Sequence, residues 1–400
     1  MKPILPLFVF IDACGWEIVR DRAFLDDLAP HRRRLRSVFG YSSACIPSIL
    51  SGRWPAETRN WCYFVHDPAR SPFRPLRPLG WLPSAVTGRR VFRRWLSKLV
   101  RGPLGFRGYF DLYNLPFRHV GRFDFTEKKN PLQPGGMNAG TNIFDVLADA
   151  GIPYHVSEPG RGEAGNLAAL EADVAAERVD FAFLYWPELD GLMHRVGNDS
   201  PAVPAKLARY AADLGRLVAL AQRHYAEVRL HVFSDHGMAN CTGTLDLRRR
   251  LRALPVRMPD DYAVVYDSTM ARFWFFNERA RREVTSCLGR VPEGRILSDA
   301  ELRELGTFFP DRYFGELIFL VEEGVLIVPS DMGERPLAAM HGYHPDAPQS
   351  YAALLTNRED IPAGLTAIPH LYDLMRRDAF AAHAANRSRA VLRVPEAVPA

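Results

Sequence analysis

The sequence predicts an α/β fold: a mostly parallel central sheet with helices on both faces and an inserted cap. Three observations predict it. Short apolar runs alternate with helical stretches of about 10–20 residues, the pattern of parallel strands joined by crossovers. Three apolar runs end in a carboxylate: "PILPLFVFID" at Asp12, "DFAFLYWPELD" at Asp190 and "EVRLHVFSDHG" at Asp235. Residues 62–135, rich in Arg, Pro and aromatics, differ from the chain on either side.

The elements follow in order. "PILPLFVFID" reads as a buried first strand; its apolar run is short and ends in Asp12, unlike a secretory leader. "PSILSG" reads as the end of a short helix stopped by Gly52. "TNIFDVLADAG" reads as a helix with Thr141 at its N-cap and Gly151 at its end. "IPYHVS" and the run ending at Asp190 are strands, and 203–225 is a long helix before the strand that ends in "FSDHGM". After residue 245, "ARFWFF" and "ELIFLVEEGVLIVPS" suggest strands, and 277–290 and 299–306 suggest helices, in a smaller antiparallel or capping portion. "YAALL" returns to the core sheet. The expected organisation is an α/β core from 1–61 and 136–385, a basic aromatic cap at 62–135, and a flexible tail at 386–400.

Composition excludes some classes. With 47% hydrophobic and 24% charged residues, the 400-residue chain is a folded type, and no run reaches the ~18 apolar residues of a membrane span. Five scattered cysteines lack metal spacing and suggest a reducing compartment. The expected location is the cytoplasm, with peripheral membrane attachment as the alternative. The net charge of +5 is uneven: residues 62–122 hold eleven Arg and Lys98 against Asp67 and Asp111.

A carboxylate beside an imidazole, as in Asp235-His236, is compatible with a turn or with a metal site. Ligands gather at the carboxyl ends of strands in open parallel sheets, and three acids converging there repel one another unless a cation is present. Asp190 and His194 are four residues apart, one helical turn, which puts them on one face.

Five pieces stand in chain order: "FIDACG", "GYSSACIPSILSG", "PELDGLMHRVG", "SDHGM" and "MHGYHPD". Together they resemble the alkaline phosphatase superfamily, and within it the type I phosphodiesterase/nucleotide pyrophosphatase branch. The resemblance implies the superfamily's three-layer sandwich and two divalent ions about 4 Å apart clamping a phosphoryl displacement. One ion would be held by Asp190, His194 and His341. The other would be held by Asp12, Asp235, His236 and the oxygen of the nucleophile. Mixed carboxylate and imidazole ligands suit zinc best, with manganese as the alternative. Family members place the nucleophile ten residues before the Gly of a "TG" or "SG" pair, which gives Ser42, with Ser43 adjacent. Helix N-capping is the structural alternative for both serines. "CIPS" copies the start of the sulfatase motif, but Ile49 replaces its Arg and Cys45 lies only seven residues before Gly52. The phosphate-binding Asn of phosphodiesterase relatives has no ungapped match: Asn60 comes too early, leaving Asn60, a backbone amide or an Arg of the insertion as donor. His344, three residues after His341, is expected outside the ligand set.

"RRVFRRWLSKLVR", Arg89 to Arg101, reads as an amphipathic basic helix, with Val91, Phe92, Trp95, Leu96, Leu99 and Val100 on one half and Arg90, Arg93, Arg94, Lys98 and Arg101 on the other. It suits a cap packed on the domain, a membrane or glycolipid contact through 89–101, or a wall that attracts an anionic substrate. No specific nucleic-acid module is recognisable. The expected function is hydrolysis of an anionic phosphodiester through a covalent phosphoseryl intermediate. The alternatives are a phosphomonoesterase, phosphonate hydrolase or phosphotransferase of the same superfamily, a sulfatase, or an inactive membrane-peripheral scaffold.

Overall fold

A computed structural model describes residues 1–391. Strand Lys2–Ile11 lies inside a six-stranded sheet ordered His31–Leu35, Ala352–Thr356, Tyr225–Phe233, Lys2–Ile11, Phe181–Trp186, Tyr154–Val156. Its two neighbours run parallel to it, with Leu7 opposite Ala182 on one side and Leu230 on the other, and Tyr154–Val156 extends the parallel set. Ala352–Thr356 adds antiparallel to Tyr225–Phe233, and His31–Leu35 pairs antiparallel with it in turn.

The first strand shows why the protein has three layers. Successive side chains of a strand point to opposite faces, so a strand apolar at every position needs cover on both. Phe8 and Phe10 enter one core with Ile49 of helix Ser42–Ser51, Phe144 of Ile143–Asp149 and Leu374 of Leu371–Val391. Leu7, Val9 and Ile11 enter the opposite core with Leu170 of Gly162–Ala175, Leu189 of Glu188–Val196 and Leu214 of Ala202–His224. Phe10 stacks on Phe233 at 5.4 Å and on Tyr185 at 4.7 Å, locking three parallel strands at the end where their acids sit.

The larger sheet after residue 245 is antiparallel, as the sequence predicts, whereas Val325–Ile327 pairs separately and parallel with Gly243–Leu245. The four strands of the larger sheet are ordered Tyr262–Tyr266, Met270–Phe275, Leu317–Val321, Gly294–Ile296, beside helices Glu278–Leu288 and Asp299–Glu304. Residues 62–135 begin and end in an antiparallel pair, Phe64–His66 with Phe123–Phe125. Their aromatics, among them Phe73, Phe106, Phe110 and Phe117, join the same core as Phe8 and Phe10.

Three local expectations need correction. Asn142, not Thr141, caps helix Ile143–Asp149; its side chain accepts from Asp145 N while the Asp145 carboxylate accepts from Asn142 N, a closed reciprocal pair that Thr141 lies one residue too early to form. The last helix runs to Val391, past the expected start of the tail at 386, because the Asn386 side chain bonds both backbone groups of Ile4; residues 392–400 lie outside the described residues. Helix Arg90–Arg101 does not separate into an apolar buried half and a basic exposed half. Arg93 is buried and donates to the carbonyls of Thr87, Tyr113 and Leu115, whereas Val91, Trp95 and Leu99 face outward.

Backbone contact holds the strand-end loops together. A Cβ on Gly15 would lie 2.3 Å from Gly237 Cα and 2.6 Å from the Tyr351 carbonyl oxygen, so the loops after Asp12 and Asp235 meet where only glycine fits. Gly15→Ala is expected to destabilise the fold by about 1–3 kcal/mol, the usual cost of forcing atoms into a packed site. In urea unfolding the midpoint should fall with an unchanged slope.

Candidate active site

Each candidate acid sits where a strand stops. Asp12 follows Lys2–Ile11, Asp235 lies two residues past Tyr225–Phe233, and Asp190 lies in the first turn of the helix that follows Phe181–Trp186. Asp12 and Asp235 are buried. Asp12 N bonds the Trp186 carbonyl at 3.0 Å, continuing the parallel ladder to the last residue before the turn. Ala13 then takes a left-handed φ of 61°, an uncommon conformation for a residue with a Cβ, and its N–H donates to Asp235 Oδ1 at 3.3 Å.

The acids and histidines form two groups with the membership expected from the motifs: Asp190, His194 and His341, and Asp12, Asp235 and His236. In the first, Asp190 Oδ1 lies 3.2 Å from His194 Nε2 and 3.5 Å from His341 Nε2. In the second, His236 Nε2 lies 3.1 Å from Asp235 Oδ2 and 3.6 Å from Asp12 Oδ1. The imidazoles of His236 and His341 stack at 3.7 Å and 10°, joining the groups into one site.

Two of the three imidazoles are held through their second ring nitrogen, and His341 Nδ1 is buried without a hydrogen-bond partner. His194 Nδ1 bonds the Ala339 carbonyl at 2.8 Å and His236 Nδ1 bonds the Gly237 carbonyl at 2.9 Å, which leaves each Nε2 facing the acids. Asp12 Oδ1, Asp190 Oδ1 and Asp235 Oδ2 are buried without a hydrogen-bond donor. Three such oxygens beside three imidazole nitrogens form a donor set that fits divalent cations such as zinc or manganese.

The electrostatics agree. Burial, with Asp235 and Asp190 nearby, pushes the Asp12 carboxyl well above its usual range. Burial also favours the neutral acid at Asp190, but His194, His341 and His236 outweigh it and hold that carboxyl below its ordinary value. Burial opposes charge on His236, yet Asp235, Asp12 and Asp190 raise its imidazole to about 10. His341 is driven well below its ordinary value by burial and by His236. With no cation bound, a proton on His236 supplies the positive charge that the acids require.

Ser42 and Ser43 diverge. Both lie in the first turn of Ser42–Ser51, whose N-cap is Tyr41, so neither is the capping residue. Ser42 Oγ lies 3.1 Å from His236 Nε2, whereas the buried Ser43 Oγ donates to the Trp61 carbonyl at 2.7 Å. Cys45 is fully buried one turn on, its Sγ 3.6 Å from Ser37 Oγ and 3.7 Å from the Val38 carbonyl, and burial pushes its thiol up. Gly52 ends the helix in the left-handed conformation, φ 71°. Asn60 Oδ1 accepts from Asn138 N at 3.1 Å at the base of the insertion. His344 turns away to Glu301, 3.3 Å from its carboxylate.

Tyr185 belongs to the site and was not anticipated. Its hydroxyl donates to Asp12 Oδ2 at 2.6 Å, fixing which carboxylate oxygen faces the cluster. The available signal was a phenol in the otherwise apolar strand Phe181–Trp186.

The three-layer α/β fold, with paired acid–histidine groups at the carboxyl ends of its parallel strands, is that of the alkaline phosphatase superfamily. Residues 122–344 match the family described as type I phosphodiesterase / nucleotide pyrophosphatase. The chain belongs to this family and is a phosphoester hydrolase. The match contains Asp190, His194, Asp235, His236 and His341 and begins after Asp12 and Ser42. Among solved structures, the chain is similar to murine ectonucleotide pyrophosphatase/phosphodiesterase 5 in an inactive Thr-to-Ala form in complex with AMP: TM-score 0.67, 16% identity, 95% of each chain covered. It is similarly related to the human ectonucleotide pyrophosphatase/phosphodiesterase 5, with TM-score 0.67, 15% identity and 95% of each chain covered. At these identities the likeness is one of fold.

Removing the Tyr185 hydroxyl frees Asp12 to rotate. Tyr185→Phe should weaken zinc or manganese binding by about 10–100-fold, as loss of an outer partner of a ligand does elsewhere. Titration of chelator-stripped protein against a competing indicator would measure it, and far-UV circular dichroism should be unchanged.

Proposed function

We propose that the chain hydrolyses a phosphodiester in two steps, with Ser42 as nucleophile and two divalent cations, zinc by preference, one in each acid–histidine group. The observation that carries this reading is the position of Ser42 Oγ, 3.1 Å from His236 Nε2 at the start of a ten-residue helix. When bound, the cations lower the pKa of the serine hydroxyl and neutralise charge on the phosphoryl oxygens.

The chain's own groups supply the rest. Ser42 Oγ gives up its proton to solvent and bonds to phosphorus as the P–O bond to the leaving alcohol breaks, and the alcohol leaves with a proton from solvent. Water then displaces Ser42, whose oxygen regains its proton, and a phosphomonoester departs. The N-terminus of Ser42–Ser51 points its first amides at the place where phosphoryl oxygens gather; no side-chain oxygen of the N-cap Tyr41 competes for them. These backbone amides stand beside Asn60, whose Oδ1 accepts from Asn138 N, as candidate donors in place of the family's Asn. Tyr185 holds Asp12, and the carbonyls of Ala339 and Gly237 hold His194 and His236 in orientation.

Residues 62–135 form the cap beside this site in our reading. Tyr63 packs on Tyr109 at 5.6 Å and on Tyr113 at 5.7 Å, and burial raises its phenol well above its ordinary value. Such an aromatic wall suits a bulky group on the scissile phosphate, in keeping with the AMP held by the murine relative. Cys45 stands outside both acid–histidine groups, which disfavours a sulfatase reaction.

Ser42→Ala should lower turnover of bis-p-nitrophenyl phosphate by at least a thousandfold while zinc content stays normal, and Cys45→Ala should retain most activity. Mass spectrometry of acid-quenched Ser42 protein should find a phosphorylated peptide containing residue 42. Full activity in Ser42→Ala, or activity lost only in Cys45→Ala, would overturn the assignment. Protein prepared without chelator that carries no divalent metal yet turns over the diester would overturn the cation assignment alone.

A further inference from the structure

Helix Arg90–Arg101 buries an unexpected face. Phe92, Leu96 and Val100 turn towards the protein together with Arg93 and Ser97. Arg93 spends its charge inward on three carbonyls, and Ser97 Oγ donates to the Arg93 carbonyl at 2.8 Å and accepts from Leu112 N at 2.9 Å. These bonds fix the rotation of the helix about its axis.

That rotation leaves Val91, Trp95 and Leu99 in solvent, 82%, 59% and 57% exposed. They are spaced by four residues and so form one stripe along the helix. Arg90, Arg94, Lys98 and Arg101 are exposed on the adjoining quarter of the circumference. Upstream, Trp81 at the end of the 3-10 helix Arg74–Trp81 is 93% exposed, and Leu82 and Val86, between it and Arg90–Arg101, are both 44% exposed. Two exposed tryptophans and an aliphatic stripe beside a row of cations is not the surface of a helix adapted to water alone.

We propose that this surface docks on an anionic phospholipid membrane, with Trp81, Val91, Trp95 and Leu99 entering the headgroup–acyl boundary and Arg90, Arg94 and Lys98 lying over the phosphates. The choice of a lipid surface rests on charge complementarity and on shape. The basic row lies at the flank of the apolar stripe, where an interfacial helix keeps its cations at headgroup level. Tryptophan is the residue enriched at that depth. Among the described residues no helix is long and apolar enough to cross a membrane, so this contact lies on the bilayer. The docking surface is independent of the proposed chemistry at Ser42: none of its residues belongs to either acid–histidine group.

Flotation with extruded vesicles tests it. Wild-type protein should float with vesicles of phosphatidylcholine and phosphatidylglycerol at three to one. It should stay behind with phosphatidylcholine alone, and binding should weaken as salt is raised. Trp81→Ser/Trp95→Ser/Leu99→Ser and Arg94→Glu/Lys98→Glu should each lose at least about tenfold in apparent affinity. Both should keep wild-type turnover of bis-p-nitrophenyl phosphate, which shows that they are folded and that the diesterase reading stands or falls separately. Should either variant misfold, quenching of wild-type tryptophan fluorescence by brominated phosphatidylglycerol decides: quenching upholds the proposal and its absence overturns it. Equal binding to neutral vesicles, or no binding to either, overturns it. So does a wild-type dimer in sedimentation equilibrium that Trp95→Ser dissociates, because a second copy would then cover the stripe.

Discussion

Repulsion among three converging carboxylates is the constraint on which the rest of this structure depends. Asp12, Asp190 and Asp235 meet at one end of a parallel sheet, Asp12 and Asp235 buried and Asp190 partly so, where water screens them poorly. The fold brings them there because parallel strands all finish on the same side. It can keep them there only if positive charge stands among them. Among the three histidines beside them, the acids raise the His236 imidazole to about 10, so positive charge is favoured there.

Much of this was legible in the sequence. A carboxylate at the end of an apolar run reports the strand's direction and its terminus together, so three of them locate one end of a parallel sheet. Asp190 and His194 are bound by helical spacing, and Asp235-His236 by adjacency. His341 is different: no local spacing joins it to Asp190 across 151 residues, and only the order of the motifs placed it. The antiparallel portion after residue 245 was visible in its paired apolar runs.

What was not legible shares a cause. Which atom a polar group bonds depends on what another segment presents. Tyr185 reads as one more strand aromatic until Asp12 of the adjacent strand stands 2.6 Å away. Arg93 reads as part of a solvated face, because the carbonyls of Tyr113 and Leu115 that capture it come twenty or more residues later. Amphipathic pattern gives the existence of helix Arg90–Arg101 but not its rotation, and a turn of the axis exchanges a buried tryptophan for a buried arginine. Ser42 and Ser43 are separated by the same logic: the Trp61 carbonyl claims the one, and His236 stands beside the other.

The glycine contact beneath the site has a consequence for its motion. Gly15 and Gly237 touch backbone to backbone, with the carbonyls of Gln349 and Tyr351 wedged against them. The loop that bears Asp12 and the loop that bears Asp235 therefore have no slack between them, and a displacement of one is a displacement of the other. Their fluctuations are correlated, so the separation of the two carboxylates varies less than the position of either. The missing side chains act as a spacer of zero thickness, and the tolerance of the site is set by atoms the chain does not have.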